Sequence, residues 1–93
     1  MTFDYDQIPA SAIESLRLYI DRGYSPGHFL TAVLSNDLTE AVRRADDTNL
    51  PLIPTYVAWL YGAAPYACWG SPARVTAWMT GRQAERERVG VEP

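Results

Sequence analysis

The chain has 93 residues, of which 47% are hydrophobic and 20% charged, with a formal net charge of −3. A chain of this length holds a single hydrophobic core, and its apolar content excludes wholesale disorder. The acidic balance argues against general nucleic-acid binding, because such binding depends on a surplus of basic side chains.

The single cysteine, Cys68, and the single histidine, His28, have no companion ligands. This excludes a disulfide framework and a structural zinc cluster, and we expect no cofactor. A lone cysteine is typical of a reducing compartment, and the first residues lack the pattern of a secretory signal, so we expect a cytoplasmic protein. Residues 50–64 are the most apolar stretch, but Pro51 and Pro54 interrupt them, so we expect no membrane span.

The first predicted helix covers residues 9–22, where apolar residues recur at steps of three and four. Gly23 follows the last of them and is the expected end, because glycine readily takes the left-handed conformation that closes a helix. Ser25 and Pro26 have the types favoured at an N-cap and a first helical position. They predict a second helix over residues 26–34.

Asp37 with Glu40 three residues later resembles a capping box and predicts a third helix. Its predicted buried side consists of Leu38, Ala41, Val42 and Ala45. A polar turn with Pro51 and Pro54 delays the fourth helix, which is predicted from near Ile53 to Tyr61, with Gly62 as the expected stop. Its predicted inner face consists of Ile53, Tyr56, Val57, Leu60 and Tyr61.

Ser71 and Pro72 predict the start of a fifth helix, and Gly81 its end. The polar residues after Gly81 are expected to form a flexible tail. The predicted organisation is therefore an N-terminal arm over residues 1–7, a helical domain over 8–81 and a tail over 82–93. The predicted fold is all-α, a compact single domain of about five short helices with little or no β-structure.

Residues 29–49 have the length and turn of a helix-turn-helix. A DNA-reading helix must present hydrogen-bond donors at its start, whereas this one presents Asp37 and Glu40, whose carboxylates repel phosphates. Ordinary helix packing is therefore the preferred interpretation, with a DNA-binding role as an alternative.

Arg43, Arg44 and Asp46 form a polar corner after the third helix. Guanidinium groups bind oxyanions in a forked geometry, so this corner could hold a phosphate or an acidic partner. The alternative is structural, because arginines in a last helical turn interact favourably with the free carbonyls there.

Tyr66 and Trp69 lie in the link over residues 63–70, the aromatic loop, which could bind a partner or a planar ligand. The alternative is that Trp69 covers the core and Cys68 is a buried small hydrophobe. One cysteine and one histidine do not make a catalytic triad, and no pair of carboxylates is placed for acid–base catalysis. The 11 aromatic residues exceed what so small a core can enclose, which indicates an exposed aromatic surface.

Four segments resemble a group of small uncharacterised proteins of tailed bacteriophages and prophages, namely residues 19–23, 29–38, 44–46 and 68–71. The likeness extends over about residues 8–78. It implies a viral origin and a bacterial host cytoplasm, and it implies no activity.

Together these patterns predict a non-enzymatic interaction protein, a phage accessory factor that docks on a host or viral protein and could modulate a host factor or defence system. The predicted contact residues are Asn36, Asp37, Arg43, Arg44, Asp46, Tyr66 and Trp69. The alternative is a homo-oligomeric module that binds a nucleotide-like anion through arginine and tryptophan. Neither hypothesis requires a metal or a membrane.

Overall fold

The computed structural model describes residues 2–91, and in these residues it has five α-helices and no β-strand. The helices are α1 (Ala10–Arg22), α2 (His28–Leu34), α3 (Leu38–Arg44), α4 (Ile53–Ala63) and α5 (Pro72–Val91). Single 3₁₀ turns cover Tyr5–Gln7, Leu50–Leu52 and Tyr66–Cys68. The predicted all-α fold is confirmed. Within residues 2–91, no helix has both the length and the apolar character that a membrane crossing requires.

Helix α1 ends where its glycine predicts. Gly23 has φ 74°, and its N–H donates to the Tyr19 carbonyl over 2.8 Å. The inward face of α1 carries Leu16 and Tyr19, both almost completely buried. Helix α5 packs against α1, and Trp78 Nε1 of α5 donates to the Tyr19 carbonyl over 3.1 Å.

Helix α2 begins at His28, two residues later than predicted. Gly27 occupies the N-cap position with φ 95°, a conformation outside the helical region, and this leaves Ser25 and Pro26 in the linker. The predicted Ser25 cap is therefore wrong. Leu30 and Val33 are buried and turn the apolar side of α2 toward the core.

Helix α3 begins as predicted, since Asp37 Oδ1 accepts from the Glu40 N–H over 3.2 Å. Its predicted buried side is wrong in two places: Leu38 is 66% exposed and Val42 46% exposed, whereas Ala41 is buried. The physical reason is the short turn that joins α2 to α3. Asn36 in this turn has φ 60°, and the turn brings α3 against α2 through the small side chain of Ala41.

Helix α4 begins at Ile53 as predicted and runs one residue past Gly62. Ile53, Tyr56 and Leu60 are buried as expected, but Tyr61 is 79% exposed, so its assignment to the inner face is wrong. Val57 is half-buried and packs against the core, and Trp59, which was not predicted to face inward, is buried. Tyr61, four residues after Val57, is the member of the predicted inner face that solvent reaches.

Helix α5 begins at the predicted Ser71-Pro72 pair, where Ser71 Oγ accepts from the Arg74 N–H over 3.2 Å. Its predicted end at Gly81 is wrong, because the helix continues to Val91. Glycine in a helix costs about 1 kcal/mol and does not forbid it. Residues 82–91, predicted as a tail, are helical, while 92 and 93 lie outside the described residues.

Candidate functional site

An open groove lies between the end of α4 and the beginning of α5, with a volume of about 330 Å³. We call it the aromatic groove. It is lined by Asn36, Val57, Tyr61, Ala64, Tyr66, Trp69, Gly70 and Arg74. Three of the predicted contact residues, Asn36, Tyr66 and Trp69, therefore line the same groove, although Asn36 is far from the other two in sequence.

Two hydrogen bonds hold the loop that forms one wall of the groove. The Gly70 N–H donates to the Leu34 carbonyl over 2.7 Å, which ties the loop to the end of α2. The Tyr19 hydroxyl donates to the Cys68 carbonyl over 2.6 Å, which ties the loop to α1. Gly70 has φ 110°, a conformation that favours glycine. The loop is therefore fixed from the core side.

The aromatic rings of the groove stand in two different environments. Trp69 is half-buried, and its ring meets that of Tyr61 edge to face, with centroids 4.9 Å apart and planes at 86°. Tyr61 is 79% exposed and Tyr66 is 77% exposed. The groove therefore carries two exposed tyrosine rings beside a half-buried tryptophan, and contiguous exposed apolar patches are typical of interaction sites.

Arg74 contacts two residues of the aromatic loop, Tyr66 and Trp69. Its guanidinium carbon lies 4.2 Å from the centre of the Tyr66 ring, and its Nη2 donates to the Tyr66 hydroxyl over 2.7 Å. Its Nη1 donates to the Trp69 carbonyl over 3.3 Å. No salt bridge among residues 2–91 involves Arg74. The groove therefore carries a guanidinium that forms no ion pair with a carboxylate of the described residues.

The apolar surface continues from the groove toward α3. Asn36 and Val57 also line a shallow hollow of about 40 Å³, whose other walls include Leu38, Ile53 and one carboxylate, that of Asp37. Leu38 is the most exposed aliphatic side chain of this region. The groove and the hollow together form a continuous strip, which we call the apolar strip.

Arg43 and Arg44 lie outside the aromatic groove and share one partner on α3. Glu40 Oε1 accepts from Arg43 Nη2 over 2.9 Å and from Arg44 Nε over 2.8 Å. Hydrogen bonds from Arg43 and then from Arg44 lower the pKa of the Glu40 carboxyl to about 2. The same carboxylate raises the pKa of Arg43. The charge of this predicted corner is thus partly neutralised within its own helix.

Asp37 and Asp46 both serve the local backbone. Asp37 caps α3, and Asp46 Oδ1 accepts from the Asn49 N–H over 2.7 Å in the turn before α4. Asp46 borders a second cleft of about 500 Å³ between the starts of α1 and α2, where Tyr56 forms part of the wall. The structure therefore separates Asp46 from the aromatic groove.

The Tyr56 hydroxyl in the second cleft is held in its neutral form. It donates to Asn49 Oδ1 over 2.6 Å. Burial, and to a lesser degree the charge of Asp46, raises the pKa of Tyr56 to about 12. Among residues 2–91, no group of three or more potential ligands is placed to hold a metal ion.

No protein-family model matches the chain, and no curated protein or solved structure is significantly similar to it. The groove must therefore be interpreted from its own geometry.

Sequence reasoning missed Tyr61 and Arg74. Tyr61 has the spacing of a core residue on α4, and nothing in its local pattern distinguishes it from Leu60. Arg74 had a detectable signal, since it is the first charged residue after the aromatic loop and lies in the first turn of a predicted helix. Only the tertiary structure shows that Tyr61 and Arg74 line the same groove.

Proposed function

We propose that the protein is a non-enzymatic interaction module that docks on another protein through the aromatic groove. The observation that carries this proposal is the pair of exposed tyrosines, Tyr61 and Tyr66, which line the groove together with the half-buried Trp69. Protein interfaces are enriched in aromatic residues and arginine, and both are present here. The surrounding loop is held by core hydrogen bonds, so little ordering would be needed on binding.

The residues of the groove support binding better than catalysis. Acid–base or nucleophilic chemistry draws on carboxylate, imidazole, thiol or activated hydroxyl groups. The groove offers rings, an amide and a guanidinium, which bind and orient. A non-enzymatic role in a bacterial host cytoplasm, as a phage accessory protein, is part of this proposal.

The two alternative functions have less support. An anion-binding module was expected to use Arg43 or Arg44 with Trp69, but these arginines are paired with Glu40 away from the groove. A DNA-reading α3 would bring the carboxylates of Asp37 and Glu40 toward phosphates. Neither alternative has an observation of its own that favours it over protein docking.

The proposal is tested by affinity capture from a lysate of the native host. The bait proteins are the wild type, the double variant Tyr61→Ser/Tyr66→Ser and the control Tyr5→Ser, which alters a tyrosine that is 46% exposed elsewhere. We expect at least one protein that the wild type and the control both retain and the double variant loses. Circular dichroism checks that all three are folded.

Retention of the same proteins by all three baits would contradict docking through the groove. A photo-crosslinking amino acid at position 61 gives a second readout. It should form an adduct with the retained protein, whereas the same amino acid at position 5 should not.

A further inference from the structure

We infer that the aromatic groove takes an extended segment of a partner protein in which an acidic side chain neighbours an apolar or aromatic one. This inference rests on the proposed function, and it names the chemistry of the partner. It combines the charge of Arg74 with the shape and exposure of the rings around it.

The guanidinium of Arg74 supplies the hydrogen-bond donors and the charge of the groove. A guanidinium has five N–H donors, and here one bonds the Tyr66 hydroxyl and one the Trp69 carbonyl. The other three make no hydrogen bond among the described residues. The residues that line the groove include no carboxylate, so its charge is complementary to an anion. A carboxylate bound by an oriented guanidinium makes the stronger, charge-assisted class of hydrogen bond.

The orientation of Arg74 is already set before a ligand arrives. Its guanidinium lies over the Tyr66 ring and is held by the two hydrogen bonds. A lysine could not reproduce this arrangement, because its ammonium group lacks the planar fork. Binding would therefore immobilise few additional rotamers of this side chain.

The open shape of the groove fits a peptide segment better than a small molecule. Sites for small ligands typically bury about 70–90% of the ligand surface. The two tyrosine walls of this groove are themselves mostly exposed to solvent, so they cannot enclose a compact ligand. The apolar strip extends beyond the groove to Leu38, which suits an extended chain with an acidic residue at Arg74 and apolar residues along the strip.

The test uses a displayed library of random 12-residue peptides, selected on the full-length wild-type protein. We expect the enriched peptides to carry Asp or Glu within a few positions of an aromatic or large aliphatic residue. Synthetic copies should bind Arg74→Gln about tenfold to a hundredfold more weakly than the wild type, as expected for loss of a charged hydrogen bond. Arg88→Gln makes the same charge change at the exposed far part of α5 and should keep full affinity.

The outcomes separate this inference from the proposed function. Peptides that lose binding on Tyr61→Ser/Tyr66→Ser but are not acidic, or that bind Arg74→Gln as well as the wild type, would overturn only the acidic partner. Peptides that bind this double variant undiminished, or a selection that enriches none, would overturn docking at the groove as well. A wild-type dimer in sedimentation that Tyr61→Ser/Tyr66→Ser dissociates would replace the partner by a second copy of the chain and overturn the inference.

Discussion

Gly23 and Gly81 have opposite roles, although both follow a stretch with helical periodicity. Gly23 has φ 74°, and a Cβ added there would lie 2.5 Å from the Cβ of Arg82. Gly81 lies inside α5, and a Cβ added there would meet nothing within 4 Å. The first glycine is required by its conformation and by the close approach of α5, and the second is merely tolerated.

We predict that Gly23→Ala lowers the free energy of unfolding by about 1–3 kcal/mol, because alanine must adopt a left-handed conformation and displace α5. Gly81→Ala, the matched control, should raise it by about 0.5–1 kcal/mol through better helix propensity. Urea denaturation of both variants provides the measurement. Shifts in the same direction for the two variants would show that this view of the glycines is wrong.

At the scale of elements, arginine–aromatic contacts explain why α5 extends beyond Gly81. The guanidinium carbon of Arg82 lies 4.5 Å from the centre of the Trp78 ring, and that of Arg86 lies 4.4 Å from the centre of the Tyr24 ring. Arg86 also donates to the Arg22 carbonyl at the end of α1. These contacts fasten the polar end of α5 to Trp78 and to the end of α1, and they depend on arginine, which supplies all eight basic residues of the chain.

We predict that Arg82→Ala and Arg86→Ala each speed amide hydrogen exchange over residues 82–91 by about twofold to fivefold, the equivalent of one exposed cation–π contact. Arg88→Ala is the control, since it removes an exposed arginine with no aromatic contact among the described residues. Exchange followed by mass spectrometry measures the effect. Equal exchange in all three variants would mean that the arginines do not hold this segment.

Two of the three predicted side-chain caps, Asp37 and Ser71, form, whereas Ser25 does not cap α2, and the predicted helix faces are correct only in part. Asp37 and Ser71 bond the N–H groups that local pattern predicts, because a cap involves only neighbouring residues. Whether Tyr61 or Leu38 points inward depends on how each helix is rotated by its packing partners, and both point outward. Periodicity carries no information on that rotation.

In the candidate site, too, local sequence predicts some features and tertiary packing determines the others. Asn36 and the aromatic loop stand out in the sequence as a turn and a cluster, and the structure brings them into one groove. Arg43 and Arg44 stand out equally, but Glu40 on the same helix pairs with both. Competition from a local carboxylate could have been anticipated from the spacings of three and four residues. The position of Arg74 over the loop required the tertiary structure.

At the scale of the whole molecule, two buried tyrosines join separate elements of the fold through their hydroxyl groups. The Tyr19 hydroxyl joins α1 to the aromatic loop, and the Tyr56 hydroxyl joins α4 to the turn before it. Both rings are completely buried. Burial raises the pKa of each hydroxyl, with a further contribution from Cys68 at Tyr19 and from Asp46 at Tyr56. Ionisation of either ring is therefore coupled to global stability.

We predict first that Tyr19→Phe lowers the free energy of unfolding by about 1–3 kcal/mol at neutral pH. The variant leaves the buried Cys68 carbonyl without its donor, and an unpaired buried acceptor costs about that much. Tyr5→Phe, which alters a ring outside the core, should have no comparable effect. Urea denaturation at neutral pH distinguishes the two, and equal stability of wild type and Tyr19→Phe would contradict the role of this hydrogen bond.

The same tyrosines predict how stability depends on alkaline pH. Tyrosine becomes charged by losing a proton, and the folded protein retains that proton up to a pKa of about 12 at Tyr56, against 10.0 ordinarily. Above pH 10 the folded state therefore binds more protons than the unfolded chain, so the free energy of unfolding is full below pH 10 and falls as the pH rises through about 12. Denaturation at a series of pH values measures this fall. Because Tyr19→Phe/Tyr56→Phe removes both groups, its stability should decline less steeply over that window than that of Tyr5→Phe, and an equally steep decline would place the alkaline sensitivity elsewhere in the chain.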